Sequence, residues 1–594
     1  MSVPQTIPST TGKGGISSDK KLGVWKEFLS LYTHLRIPWW LYIVSALIGF
    51  LYGDLTVRIS AYTVRVNNGE LYNSTIIGYV LLTVLNSIIM LAQGMTSQYA
   101  DQRTTLRARN LLWNKILHLP INTIDRKGPS SYVAGVTTSV TQAGYAITSL
   151  ITLCSALYAF IKAFIVLYQY NKTLTTFLLL LIPFVVFLFF FGGRLFFAAS
   201  KRYYNGTKVT TEFFSEHLPN VVYVKSQVAE QDEVVQGNVA IDVKYKAGLF
   251  MGFIYAIIVP LNTLYNTVAS IFIALIGSGM VRKGQLEKTG INTFSTYTGN
   301  VNTQLLQMVV QYEAIKGAQG NLKHSNAILQ LETEQLDSGL AKDIQISDIV
   351  LSGVSFTYSD GRSALHDVSC TIPSGKRTAI IGGNGSGKST LLKLLLRLYD
   401  PSEGSITLKR ADKVTEIDEF SLKDYRAHFG YVPQYPYIFA GTVRDNIGYG
   451  VETIDEASLQ RASDSAHATE FVTSLTSSFD TELNEAGTNL SGGEAQRITL
   501  ARALVVNPEF VLLDESTSAV DQETSNAIIR SLDGSKNERT IIQVTHDPDG
   551  VATADHIIVL TDGQVEAEGT HQELLATSPT YQRFITAGER EGEQ

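Results

Sequence analysis

The sequence predicts an α-helical membrane domain of six spans fused to a cytosolic α/β ATPase domain of the phosphate-loop class. Three observations carry this. Long apolar runs with few charges fill residues 38–310, whereas the chain from about 345 onward alternates short strand-like and helix-like patterns. A glycine-rich loop, Gly382-Gly383-Asn384-Gly385-Ser386-Gly387-Lys388-Ser389-Thr390, lies between strand-like residues 378–381 and helix-like residues 391–398. The apolar run Phe510-Val511-Leu512-Leu513 ends in two carboxylates, Asp514 and Glu515.

At 594 residues the chain is too long for one compact core, so at least two domains are expected. Hydrophobic residues make up 45%, an ordinary share, so it is their uneven placement that signals a membrane. The formal net charge of −7 and the lack of a long basic block argue against a nucleic-acid partner. Cys154 and Cys370 fall in different domains without metal-ligand spacing and read as two free thiols. Residues 1–21 are rich in Ser, Thr, Gly and Lys and lack an apolar core, so a cytosolic tail is expected in place of a cleavable signal. With about 37 residues ahead of the first span, no peptidase domain is expected there.

The membrane half begins with an amphipathic stretch, 22–36, suited to lie along the membrane surface. Pro38-Trp39-Trp40-Leu41-Tyr42 then sets aromatic residues at the interface. A span needs roughly 20 apolar residues. Six stretches have that length: 39–63, 75–96, 143–168, 174–197, 249–281 and 291–315. The last is too polar to stand on hydropathy and is expected from its length and place. Of the connections, 98–142 carries Arg103, Arg107, Arg109, Lys115, Arg126 and Lys127, and 194–247 carries Arg194, Lys201, Arg202, Lys208, Lys225, Lys244 and Lys246. This bias puts both long loops and the N-terminus in the cytosol, although Arg282, Lys283 and Lys288 in a short outer loop run against it.

Asp54 and Arg58 are four apart in the first span and can meet on one helix face. A lone charge there costs roughly 3 kcal/mol, so a structural pair or a watery cavity is implied. Lys162 in the third span has no partner readable from sequence. In the sixth span Thr293, Thr296, Asn300, Gln304, Gln307 and Gln311 recur at intervals of three and four, which puts them on one face. Amides facing lipid are costly, so this stripe faces either neighbouring helices or a transport path. Asn86, Gln93, Asn262 and Asn266 in other spans could join such a path.

In the soluble half, the glycine loop lets backbone N–H groups turn inward around a polyphosphate at a helix N-terminus. Lys388 then reaches the outer phosphates and the Ser389 hydroxyl suits Mg²⁺. Residues 344–358 alternate like strands, and Tyr358 at their end reads either as a core tyrosine or as a platform for adenine, worth roughly 1–3 kcal/mol. Asp514 suits the water shell of a metal ion and Glu515 the polarising of an attacking water. Leu490-Ser491-Gly492-Gly493-Glu494-Ala495-Gln496-Arg497 is a second glycine turn at a helix start, hence a second anion site.

That turn, with Tyr431-Val432-Pro433-Gln434 before it and Ser518-Ala519-Val520-Asp521 and Thr545-His546-Asp547 after it, resembles the nucleotide-binding domain of ATP-binding cassette (ABC) transporters. The membrane half is similar to an exporter-type half-transporter: His118-Leu119-Pro120 with Ile124-Asp125-Arg126 resembles the first coupling-loop region, and 215–233 the second. Thr481-Glu482-Leu483-Asn484-Glu485-Ala486-Gly487 resembles the X-loop, with Asn484 and Ala486 departing from the usual Gly and Arg. The expected layout is a tail and elbow at 1–37, membrane domain at 38–325, linker at 326–342 and cassette at 343–594.

The resemblance implies that Tyr358 stacks on adenine, that Gly382, Gly383, Asn384, Gly385, Ser386, Gly387, Lys388, Ser389 and Thr390 cradle the phosphates, and that Ser389, Gln434 and Asp514 hold Mg²⁺. It implies that Glu515 is the catalytic base, that His546 and Gln434 sense the γ-phosphate, and that Asp521 communicates across a dimer. Ser491, Gly492 and Gly493 would cap ATP held by a partner cassette. The implied activity is ATP-driven export of a polar or amphipathic solute, such as a peptide or drug-like compound, by a dimer, a homodimer before a heterodimer. The expected setting is a bacterial cytoplasmic membrane. Import by the same fold, as in siderophore-type relatives, and lipid translocation are the alternatives.

Overall fold

A computed structural model describes residues 24–137, 139–179, 182–339, 347–410, 413–515, 520–534 and 539–592. In chain order the helices of the N-terminal half are α1 Val24–His34, α2 Trp39–Asn67, α3 Asn73–Leu117, α4 Ile121–Lys127, α5 Pro129–Thr137, α6 Gln142–Tyr170, α7 Lys172–Leu179, α8 Ile182–His217, α9 Val221–Ser226, α10 Glu230–Arg282 and α11 Lys288–Leu329. The chain divides into two compact units. One takes the described residues up to Leu119 and then Lys127–Glu332; the other takes Pro120–Arg126 and the chain from Thr333 on.

The first unit is a helical bundle. Four of its described helical stretches are long and apolar enough to cross a membrane: Trp39–Asn67, Asn73–Leu117, Ser131–Tyr170 and Glu230–Arg282. The stretch expected as the fourth span falls on α7 and α8, with residues 180–181 outside those described. The expected sixth span lies within α11, continuous but polar as read from its sequence. The two long connections are largely continuations of helices: α3 runs to Leu117, α8 to His217, and α10 starts at Glu230.

Small residues let these helices approach, as they do where apolar burial alone gives no drive in lipid. A Cβ on Gly53 of α2 would lie 3.2 Å from Ala159 Cβ of α6, and one on Gly144 would lie 2.5 Å from Asp101 Cα of α3. Ala156, Ala159 and Ala163 are buried at the same spacing on α6. Polar ties fix the register. Asp101 accepts from Thr148 Oγ1 at 2.6 Å and from the Tyr42 hydroxyl at 3.2 Å, joining α3 to α6 and α2. Asp54 accepts from Arg58 Nε at 2.8 Å and also from Lys162, so the lysine that sequence left without a partner is paired across α2 and α6.

The second unit holds two main sheets. Its strands are β1 Asp348–Thr357, β2 Ser363–Ile372, β3 Arg377–Gly382, β4 Glu403–Arg410, β5 Lys413–Glu416, β6 Phe429–Val432, β7 Gly441–Thr442, β8 Glu482–Leu483, β9 Phe510–Asp514, β10 Thr540–Val544, β11 His556–Thr561 and β12 Gln564–Gly569. The larger sheet runs β12-β11-β3-β10-β9-β6, parallel throughout except for the antiparallel edge strand β12. Every residue of β9 and β10 is buried, as expected of parallel strands covered on both faces. An antiparallel sheet, β2-β1-β4-β5, packs its inward residues Ile349, Leu351 and Val354 on the same core as Leu391, Leu395, Leu512 and Ile542. β1 occupies most of the strand-like 344–358, whose first three residues lie outside those described. The first coupling-loop segment belongs to this unit: Ile121 packs on that core and Asp125 accepts from the Tyr399 hydroxyl.

Candidate nucleotide site

Four neighbouring strands of the parallel sheet deliver the candidate residues from their carboxyl ends, where open α/β sheets bind ligands. β3 leads into the glycine loop, β9 into Asp514 and Glu515, β10 into Thr545 and His546, and β6 into Pro433 and Gln434.

The loop's conformation requires its glycines. Gly382, Gly385 and Gly387 have φ of +155°, +83° and +100°. A Cβ on Gly382 would lie 2.1 Å from Leu560 O, and one on Gly387 would lie 2.5 Å from Leu365 Cδ2. Gly383, Asn384 and Gly385 are exposed at the crest, and a Cβ on Gly383 meets nothing within 4 Å. Lys388 starts the helix Lys388–Leu395 and is 6% exposed; its Nζ curls back to Gly382 O at 2.9 Å and Gly383 O at 3.1 Å. Burial holds its pKa below the ordinary lysine range, opposed by Glu515 and Asp514. The Ser386 hydroxyl is buried and bonds nothing, a donor left over for a ligand.

Asp514 is 4% exposed and accepts from Ser389 Oγ at 3.2 Å. Burial raises its pKa, against the Ser389 bond. Glu515 accepts from Gln434 Nε2 at 2.5 Å on one oxygen and meets His546 Nε2 at 3.0 Å on the other. Its backbone has φ +48°, a left-handed conformation uncommon for a residue with a side chain, and its N–H donates to Val544 O at 3.0 Å. Tyr358 bonds Thr390 Oγ1 at 2.9 Å and is braced edge-on by Phe356 and Tyr399.

Two candidates stand apart from this cluster. Ser491 caps the helix Gly492–Leu504: its Oγ accepts from Glu494 N, and Glu494 Oε2 accepts from Ser491 N at 2.8 Å and from its hydroxyl at 2.9 Å. Ser491 and Gly492 are exposed, Gly493 is half-buried, and among the described residues none of the three hydrogen-bonds the phosphate loop. Asp521 caps the next helix through Thr524 N at 2.9 Å, which lowers its pKa. Ser518 and Ala519 lie outside the described residues. In the X-loop, Ala486 takes φ +57° and Asn484 N is held by Asn489 Oδ1.

Sequence reading missed Arg362, whose guanidinium lies 4.9 Å over the Tyr358 ring. The tight turn that closes Tyr358 N on Arg362 O was the available signal. It also missed Arg377, fully buried, which ties Asp533, Gly550 O and Thr553 beneath the loop.

In the membrane unit the polar stripe divides. Gln304 and Gln307 line a cavity of about 390 Å³ together with Gln93, Thr148, Thr152 and Ser155. Asn300 instead donates to Ser60 Oγ at 2.8 Å, a tie to α2. Thr293 and Thr296 bond carbonyls of their own helix, and Gln311 is buried. Asn86 is not among the lining residues, and the Asn262 and Asn266 side chains lie outside those described. Thr148, Thr152 and Ser155, spaced by four and three, were readable as a face of α6 but were passed over.

Comparison with known proteins agrees with both units. A family profile described as ABC transporter transmembrane region matches residues 39–305, and one described as ABC transporter matches 365–518. A probable multidrug resistance ABC transporter ATP-binding/permease protein of Bacillus subtilis is 34% identical over 63% of this chain and 65% of its own length. A multidrug resistance ABC transporter of Lactococcus lactis is 29% identical over 63% and 62%. The matches thus span under two thirds of those relatives. An ATP-dependent lipid A-core flippase of Aliivibrio fischeri is 38% identical over 43% of each chain. The solved structure of a bacterial Atm1-family ABC exporter with ATP bound superposes with a TM-score of 0.83 at 23% identity, over 92% of this chain and 98% of that one, a likeness of fold. With the membrane region and the cassette matched in a single polypeptide, the chain belongs to the ABC transporter family.

Proposed function

We propose that this chain is half of a dimeric, ATP-driven transporter of the cell membrane that exports a polar or amphipathic solute, with its cassette and N-terminus in the cytosol. The observation that carries this reading is the presence, in one chain, of a phosphate loop beside paired carboxylates and of a polar cavity within a bundle of membrane-length helices.

In the cassette, the Gly382–Thr390 amides and Lys388 bind the phosphates, and Tyr358 takes the base. Ser389 Oγ and Asp514 are hard oxygen donors within 3.2 Å of each other, Gln434 is tied to the adjoining Glu515, and these oxygens fit Mg²⁺, which keeps most of its shell as water and phosphate oxygen. Bound there, Mg²⁺ would neutralise phosphate charge. Glu515 orients and deprotonates water, with Gln434 and His546 fixing its two oxygens. Ser491, Gly492 and Gly493, unattached to their own loop, serve the loop of a second copy. Closure on ATP and release after hydrolysis then switch the membrane helices between two states.

The test is ATPase activity of the purified chain in lipid with peptides, drugs and lipids supplied in turn. Stimulation by peptides or drugs, with uptake of the same compound into inside-out vesicles, is expected. A second reading, lipid translocation, is favoured by an apolar groove of about 900 Å³ along α3, lined by Met90, Leu91, Met95 and Tyr99. Stimulation by lipids alone selects it, and transport in the opposite direction selects import.

A further inference from the structure

Glu313 on α11 is 6% exposed, and its Oε1 is buried and accepts no hydrogen bond. A Cβ placed on Gly192 of α8 would lie 2.7 Å from that oxygen and 3.3 Å from the Ile258 side chain of α10, so glycine at 192 is what makes room for the carboxyl. Among the described residues, these titratable and charged groups face this region. Tyr255 on α10 lies within electrostatic reach of Glu313 and of Tyr145 on α6. Arg194 on α8 faces Tyr312, the neighbour of Glu313 on α11. Lys316, one turn further on, has its ammonium on Gln319 Oε1 at 2.9 Å and 5.6 Å over the Tyr312 ring.

A carboxylate with one oxygen buried and unmet is the costly form, whereas the neutral acid has no net charge to solvate. We propose that Glu313 is a proton-binding site of the membrane unit, neutral in this conformation and emptied when the surrounding helices part and water enters. The exchange balances simply. The O–H bond breaks, its electron pair stays on the carboxylate and the proton passes to water; on return, water supplies the proton. This rests on the transport reading, because the ATP cycle supplies the helix movement. Its consequence is that each cycle of the membrane unit also exchanges a proton between Glu313 and water.

The experiment is infrared spectroscopy of the full chain in lipid nanodiscs. Without nucleotide, the wild-type protein should show a C=O stretch of a protonated carboxylic acid that shifts in D₂O and is missing from Glu313→Gln. Glu313→Asp, which keeps a carboxyl, should retain such a band and guards against a folding artefact. Addition of ATP and vanadate should weaken the band in the wild type only. Identical spectra for wild type and Glu313→Gln at rest would mean an ionised carboxylate and overturn the site. A band that persists unchanged in protein that hydrolyses ATP would overturn the exchange. A band at rest in protein with no ATPase activity would support the site while sinking the transport reading.

Discussion

Glu515 can serve as a base only if its carboxylate is held toward water and stays ionised. Gln434 and His546 hold its two oxygens, and the backbone at φ +48° fixes the direction of the side chain. Glu515→Gln keeps the shape and loses the base. Hydrolysis should fall by roughly 10²–10⁴-fold, the usual worth of general-base catalysis, while nucleotide binding persists; ATPase assays and nucleotide retention check this. Asp514 makes a different prediction. Burial raises its pKa, so its contribution to stability is favourable below the usual carboxylate range and lost as pH rises through the folded value. At neutral pH it is a cost to the nucleotide-free protein. Asp514→Asn should therefore raise the melting temperature by a few degrees, about 1 kcal/mol, while abolishing Mg²⁺-dependent hydrolysis. Thermal melts at pH 7 and pH 4 should show the gain shrinking at the lower pH. Both residues were legible because a strand ending in two acids is a local signal. Arg377 and Glu313 were not, because their significance comes from what faces them across the fold.

Among elements, the phosphate loop and α11 respond to substitution in contrasting ways. Gly387→Ala forces a side chain into φ +100° and against Leu365, so the cassette should lose at least about 1–2 kcal/mol of stability along with ATP binding. Gly383→Ala, with open space around its Cβ, should leave the melting temperature unchanged. In α11, Asn300→Leu removes the tie to Ser60 and should cost ~0.6 kcal/mol, typical of interhelical bonds in membranes. Gln304→Leu with Gln307→Leu should leave stability intact and reduce solute-stimulated ATPase, since both line the cavity. Spacing by three and four showed that these residues share a face. It could not show that α2 closes one part of that face and the cavity opens beside another, because that depends on the neighbours and not on the helix.

For the whole molecule, the separation of Ser491–Gly493 from their own phosphate loop makes a prediction about assembly. Lys388→Ala and Ser491→Arg should each abolish ATPase activity alone. Mixed before assembly, random pairing in a two-fold dimer rebuilds one intact composite site in half the dimers, so about a quarter of the activity should return. Mixed subunits that stay inactive would argue against two equivalent sites. The two-domain architecture was readable from hydropathy and motifs. The sixth span, within α11, is too polar to register on hydropathy and was readable only from its length and place.

The cap at Ser491 bears on how fast such a dimer could part. Its hydroxyl already donates to Glu494 Oε2 at 2.9 Å, and a phosphate oxygen would take that carboxylate's place as acceptor, an exchange of one charge-assisted bond for another. Such an exchange gains little at equilibrium and can run backward easily. The grip on a phosphate would then come from the amides at the start of the helix, while Glu494 stands ready to reclaim the serine once the phosphate leaves. A turn built this way favours quick release over tight retention, a property useful to a machine that must reset.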